Sequence, residues 1–231
     1  MNLALTIRCT AALLLASAAL ANAAQGNTND ISPAERSLFM EPAFPGQKAA
    51  TTLRYSFKRG GTLDPAFSDE VTLTLSLKPA GAGCCAAKVA FLTGERQLKL
   101  PDVDGVEGNP VLLGFLEHDI TEMERVTGGK KNYFRKRIRM ALAEAATITP
   151  RTLRFNGKEV AGSLISITPY ADDPMRSRYE RLAAKRYQFF SAASVPGKLL
   201  GIRTSVPGAA AQDAPLAGTE LWLAGAEPPP P

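Results

Sequence analysis

The sequence predicts an α+β fold: a single domain whose curved antiparallel sheet of about eight or nine strands, half-barrel-like, carries three helices packed on one face. Three observations carry that prediction. Apolar and polar residues alternate in runs such as Val71, Leu73, Leu75 and Leu77 against Thr72, Thr74 and Ser76, the period of a half-buried strand. The connections between the early runs are too short for parallel crossovers, so neighbouring strands should pair antiparallel. Two mid-chain stretches switch to three- and four-residue spacing, the period of a helix with one buried face. A sheet of that width curls, which makes a half-open barrel with helices across its mouth the expected shape.

Residues 1–23 read as a cleavable secretory leader. Arg8 is the only early charge, Cys9 to Leu20 is apolar, and Ala21-Asn22-Ala23 closes the stretch with small residues at the right spacing. About a dozen apolar residues are too few to span a bilayer. The expected compartment is therefore the periplasm, with a product that is not membrane-spanning once the leader is removed. Residues 24–48 read as a loose lead-in, in which Ser32-Pro33 can start a short helical turn. Residues 49–224 form the α+β domain, and 225–231 a disordered proline-rich tail.

Within the domain, Leu53, Tyr55 and Phe57 alternate as the first strand and Val71 to Leu77 as the second. Ala87, Val89 and Phe91 form a third, and Gln97 to Leu100 a short fourth before Pro101. Asn109-Pro110 opens the first long helix, with asparagine as N-cap and proline at the first helical position. Leu112, Leu113, Leu116, Ile120 and Met123 step along one face, and Gly128-Gly129 ends it. A second helix from Asn132 buries Phe134, Ile138, Ala141, Leu142 and Ala145, and Pro150 stops it. The short join makes the two an antiparallel pair. Asn156-Gly157 marks a tight hairpin between strands at Leu153 and at Val160 to Thr168. Asp172-Asp173-Pro174 caps an expected third helix with Met175, Tyr179, Leu182 and Ala183 inward. Strands at Tyr187 and Phe189, Leu200 to Val206, and Glu220 to Leu223 complete the sheet. In outline this half-barrel is similar to the periplasmic lipoprotein carriers. The likeness is one of shape, no residue motif carries it, and shape does not fix function.

Much chemistry is excluded by what is missing. His118 is the one histidine, so multi-histidine metal sites are ruled out and any histidine-dependent triad must use it. There is no Gly-x-Ser-x-Gly elbow, no phosphate-binding Gly-Lys-Ser/Thr loop and no Cys-x-x-Cys pair. No cofactor, no metal and no catalytic residue is expected. The 27 basic and 22 acidic residues give a net charge of +5, which falls to +4 without Arg8. That is too weakly basic to imply nucleic acid, and base-stacking aromatics do not interleave the cations.

Four groups of residues remain as candidates. Leu73, Leu75, Phe91, Leu116 and Phe134 should face the space between sheet and helices, where an apolar or lipid-like small molecule would sit. Lys131, Arg135, Lys136, Arg139, Arg176 and Arg181 form a basic surface suited to an anionic envelope surface, or to pairing with the carboxylates at 117–124. Cations at a helix start oppose its dipole, so they call for acidic partners. Cys84 and Cys85 are a candidate vicinal disulfide, strained and easily reduced, in a compartment that permits disulfides. His118 and Glu122, four apart on a helix, are neighbours that would serve as base and partner in an enzyme, or merely decorate a solvated face. The reading these support best is a non-catalytic periplasmic binding or carrier module for an apolar or amphipathic ligand. Docking through the basic helices is the alternative, and a His118/Glu122 enzyme comes third.

Overall fold

In the computed structural model, residues 31–63, 65–78, 85–210 and 213–231 are described; the leader and Cys84 fall outside them. Ten antiparallel strands make one sheet: β1 Thr51–Gly60, β2 Phe67–Leu77, β3 Cys85–Phe91, β4 Val103–Asp104, β5 Thr147–Phe155, β6 Lys158–Ile167, β7 Arg186–Ser191, β8 Leu199–Val206, β9 Ala217–Leu223 and β10 Ala226–Glu227. Their order across the sheet is β10-β5-β6-β7-β8-β9-β1-β2-β3-β4. The α+β class and the curved antiparallel sheet are as the alternation predicts, with ten strands for the eight or nine expected.

Register explains why alternation was such a clear signal. Ile165 faces Phe189, Phe189 faces Ile202, Ile202 faces Leu221, and Leu221 faces Phe57. One buried row therefore crosses five strands at a single level, and a one-residue slip in any of them would turn its apolar set outward. The curl of the sheet is written in its edge. β10 follows β9 after only Ala224 and Gly225, yet it pairs with β5, four strands away. Asn156 N–H donates to Gly225 O at 2.7 Å, so the tip of the β5–β6 hairpin returns to the end of β9.

The helices are α1 Pro33–Glu35, which runs on into a π turn at Arg36–Met40, α2 Pro110–Thr127 and α3 Lys131–Glu144. Asn109 caps α2 by accepting from Val111 N–H at 3.1 Å, and Gly128 ends it with φ 68°. The Asn109 amide also donates to Tyr55 Oη and Gly197 O, each at 3.0 Å, tying the helix start to β1 and to the β7–β8 loop. Burial lifts the Tyr55 phenol to about 12, against the opposing bond from Asn109.

Four local expectations are corrected. The third helix expected after Asp172-Asp173-Pro174 is two 3₁₀ turns, Arg176–Arg178 and Glu180–Ala184. Glu180 sits at φ 45°, which breaks an α-helix between them, and Asp173 turns its carboxylate onto Met175 N–H at 2.7 Å. The strand at Gln97–Leu100 is a 3₁₀ turn at Gly94–Arg96 with one bridge from Phe91 to Leu98; pairing resumes only at β4. Leu92 and Gly94 both take positive φ, which turns the chain off the ladder. The lead-in is packed from Ile31 on: Ser32 and Glu35 form a capping box, the Ser32 hydroxyl donates to Leu142 O, and Ala34, Leu38, Ala43 and Phe44 are buried in the core. The tail is likewise held, by β10 and by Arg203.

Candidate functional site

The five apolar candidates come together in the interior. Leu73, Leu75, Phe91, Leu116 and Phe134 are all buried within one continuous hydrophobic cluster that joins the sheet to the helices. Phe91, Phe57 and Phe115 meet there as a packed aromatic group, with Phe57 6.0 Å from Phe91 and 6.5 Å from Phe115.

His118 leans on that group. Its ring lies 5.3 Å edge-on to Phe57 and 5.6 Å from Phe91. Burial among the rings holds its pKa below the usual value, outweighing the pull of Asp119 and Glu122. Glu122 accepts from Arg59 at 2.7 Å and Arg125 at 3.0 Å. Burial would raise the Glu122 carboxyl, but those two guanidinium groups bring it below its ordinary range. The two side chains that the four-residue spacing makes neighbours thus serve different partners.

The polar centre of the molecule lies one residue further along. Asp119, 4% exposed, accepts from Lys185 Nζ at 2.5 Å and from Tyr187 Oη at 2.6 Å. Tyr187 Oη meets Tyr170 Oη at 3.1 Å. Burial, then the Asp119 charge, push both phenols up. Beside this chain stands a second one. Asp173 accepts from Tyr133 Oη at 2.5 Å and lies 3.0 Å from Arg137 Nε. Burial raises its carboxyl, but the bonds from Tyr133 and Met175 N–H, with the nearby Tyr179 hydroxyl and Arg137, carry it below the ordinary value. Four of the five tyrosines thus sit around two buried aspartates.

The basic candidates separate into three kinds. Arg135 grips Glu117 with two bonds at 2.9 and 2.8 Å, and Lys131 reaches Glu124 at 3.6 Å, which shows α2 and α3 packed antiparallel. Arg176 donates to Ala171 O at 3.3 Å. Lys136, Arg139 and Arg181 are exposed and have no carboxylate partner among the described residues. Cys85 is fully buried and disulfide-bonded.

Arg181 belongs to a groove. Leu63, Arg125, Val126, Thr127, Arg178, Tyr179, Glu180, Arg181 and Leu182 surround a surface space of about 480 Å³, where the end of α2 meets the β1–β2 turn and the 3₁₀ turns. Leu63 is 49% exposed and Val126 42%, so two aliphatic side chains stand out of the surface between arginines. Arg178, like Arg181, has no carboxylate partner among the described residues. Exposed aliphatic side chains thus stand beside three arginines and one carboxylate, Glu180.

No family model matches the chain, and no curated protein matches it. Solved structures align over much of its length, one of them a lipoprotein. The crystal structure of the Mycobacterium tuberculosis lipoprotein LppX covers 82% of this chain and 91% of its own, at 11% sequence identity and a TM-score of 0.34.

Sequence reasoning missed the groove because its parts are far apart in the chain. Leu63 comes from a Gly-Gly turn, Val126 from the last turn of α2, and Arg178 from a stretch read as a helix. It also passed over Asp119, whose partners lie 66 and 68 residues away. A usable signal existed: Asp119 lies one position before Ile120 and three after Leu116, on the buried stripe of α2.

Proposed function

We propose that this protein is a non-catalytic binding module of the bacterial cell envelope that engages an anionic amphiphile at the groove formed by Leu63, Val126, Leu182, Arg125, Arg178 and Arg181. The observation that carries this reading is the pairing of exposed aliphatic side chains with Arg178 and Arg181, which have no carboxylate partner among the described residues. Arginine suits the role because its planar fork bonds phosphate or carboxylate with two parallel N–H groups. Leu63 and Val126 supply apolar contact for the carbons next to such a head group. The secretory leader read in the sequence supports a location where anionic lipids are at hand. The burial of Leu73, Leu75, Phe91, Leu116 and Phe134 in one cluster supports this outer groove over a site beneath the helices.

Vesicle co-sedimentation tests the proposal. Phosphatidylglycerol vesicles should bind the protein, phosphatidylcholine vesicles should not, and binding should weaken steeply as salt rises. Each cation near an anionic surface contributes about 1 kcal/mol. Arg178→Glu with Arg181→Glu should therefore lower the affinity by roughly 30-fold or more. A parallel titration with monomeric dihexanoyl-phosphatidylglycerol separates a carried ligand from a docked surface. Absence of binding to both probes, or binding indifferent to the two substitutions, would overturn the reading.

A further inference from the structure

On the outer face of the sheet, away from α2 and α3, three side chains build a platform. Phe190 on β7 and Trp222 on β9 lie 5.0 Å apart across Gly201 of β8. A Cβ at Gly201 would come within 2.0 Å of the Trp222 ring, so glycine is what lets the indole lie flat on the strand. Arg203, two residues further on β8, lies 5.5 Å from the Trp222 ring and 5.8 Å from the Phe190 ring. Glu220 fixes both neighbours, accepting from Arg203 Nε at 2.7 Å and from Trp222 Nε1 at 3.2 Å. Arg203 is 6% exposed, which is unusual for an arginine on the outer side of a sheet.

Arg203 is met there by Pro229 and Pro230 of the run Pro228-Pro229-Pro230-Pro231. Arg203 Nη2 donates to Pro229 O at 2.7 Å and Nη1 to Pro230 O at 3.2 Å. A polyproline segment has no internal hydrogen bonds, so its carbonyls are free for such a donor, and its stiffness makes ordering it cheap in entropy. The side chains of the tail carry no polar group, so the hydrogen bonds of the contact are made by the carbonyls. Next to the seat, a groove of about 530 Å³ runs past Pro228, Trp222 and Glu220 to Arg54, Lys58 and Glu70. The indole thus borders both the occupied seat and open space beside it.

We propose that Arg203, Trp222 and Phe190 form a receptor for polyproline-type segments, filled in cis by residues 228–231, and that its partner is a proline-rich stretch of another protein. The cis tail, joined directly to β10, acts at a high effective concentration and competes with any incoming segment. The open groove alongside gives an incoming segment a place to begin before the tail leaves.

The test uses the full chain with Pro228→Ser, Pro229→Gly, Pro230→Ser and Pro231→Gly, checked by circular dichroism. A fluorescein-labelled Glu-Pro-Pro-Pro-Pro peptide should bind this chain saturably by anisotropy. It should bind the unaltered chain at least about 10-fold more weakly, because the seat is taken. A Gly-Ser peptide of the same length should not bind, and Arg203→Lys on the tail-replaced background should lose about 10-fold or more. Emission from Trp222, the one tryptophan, gives a second readout that does not depend on the Arg203 variant folding: only the proline peptide should shift it. A folded tail-replaced chain that fails to bind the peptide, or binds the Gly-Ser peptide equally, overturns the proposal. An unaltered chain that dimerises through its tail and shows no peptide binding would assign the seat to a second copy and overturn it too.

Discussion

Lys185 and Asp119 face each other in the interior with side chains 10% and 5% exposed. Two charges taken out of water cost several kcal/mol each, and their attraction offsets that cost only while both are present. Lys185→Met should therefore destabilise the fold by about 3–5 kcal/mol, read as a lower urea midpoint at neutral pH. Asp119→Leu combined with Lys185→Met should lose less than Lys185→Met alone, since no charge is then left unpaired. His118 makes a different prediction. Its folded pKa lies below the ordinary value of 6.5 because its ring is buried among Phe57 and Phe91. As pH falls through about 6.5, the unfolded ring takes up a proton that the folded one resists. Stability should be full above that point and fall below it, so the urea midpoint at about pH 5.5 should lie below that at about pH 7.5. In His118→Leu the difference should shrink. The carboxylates held below their ordinary range, Asp69, Glu122 and Asp173, lose their contribution only in stronger acid, near and below about pH 4, so the two windows separate. None of these pairings could be read from local spacing. Four-residue spacing puts His118 and Glu122 on one side of α2, but Arg59, 63 residues away, decides where that carboxylate goes.

At the scale of the element, the legible parts were those whose ends are fixed by local chemistry. Asn109-Pro110 and Gly128 mark α2 because a capping side chain, a proline lacking its N–H and a left-handed glycine act within one turn. The strands of the central sheet were legible because one face is buried throughout. The expected third helix failed because Asp173-Pro174 is as good a turn former as a helix cap, and tertiary bonds to Tyr133 and Arg137 favour the turn. Pro150 was read as a helix stop. It lies inside β5, where β10 pairs only with Arg154 and Phe155 and leaves the rest of that edge open, the setting in which a strand tolerates proline. Asn109 does more than cap. Asn109→Ala removes the cap, worth about 1 kcal/mol, and leaves Gly197 O without its donor, a further cost of about 1–3 kcal/mol. The expected total is about 2–4 kcal/mol by urea unfolding. Asn109→Ser should recover only the capping part, because serine cannot also reach Tyr55 and Gly197.

For the whole molecule, the decisive fact is that the sheet bends far enough for the chain after β9 to meet the tip of the β5–β6 hairpin. Alternation predicts strands and their faces but is silent on where distant strand ends meet, so β10 and the held tail could not be anticipated from a proline-rich composition that reads as loose. The contact rests on Gly225, at φ 91°, with room for no side chain: a Cβ would lie 2.1 Å from Asn156 Oδ1 and 3.2 Å from Phe155. Gly225→Ala combines a left-handed strain of about 1 kcal/mol with that collision. The substitution should detach β10 while leaving the five-strand row from Ile165 to Phe57 intact. Hydrogen exchange gives the test, because the Asn156 amide is held by Gly225 O and should lose protection in the variant. Amides of β8 and β9 should keep theirs. Equal loss across β1, β8 and β9 would mean that the edge contact holds the entire sheet together. Arg203 then links the two ends of the argument. If detaching β10 also frees the carbonyls of Pro229 and Pro230 from Arg203, the Trp222 emission of Gly225→Ala should match that of the tail-replaced chain.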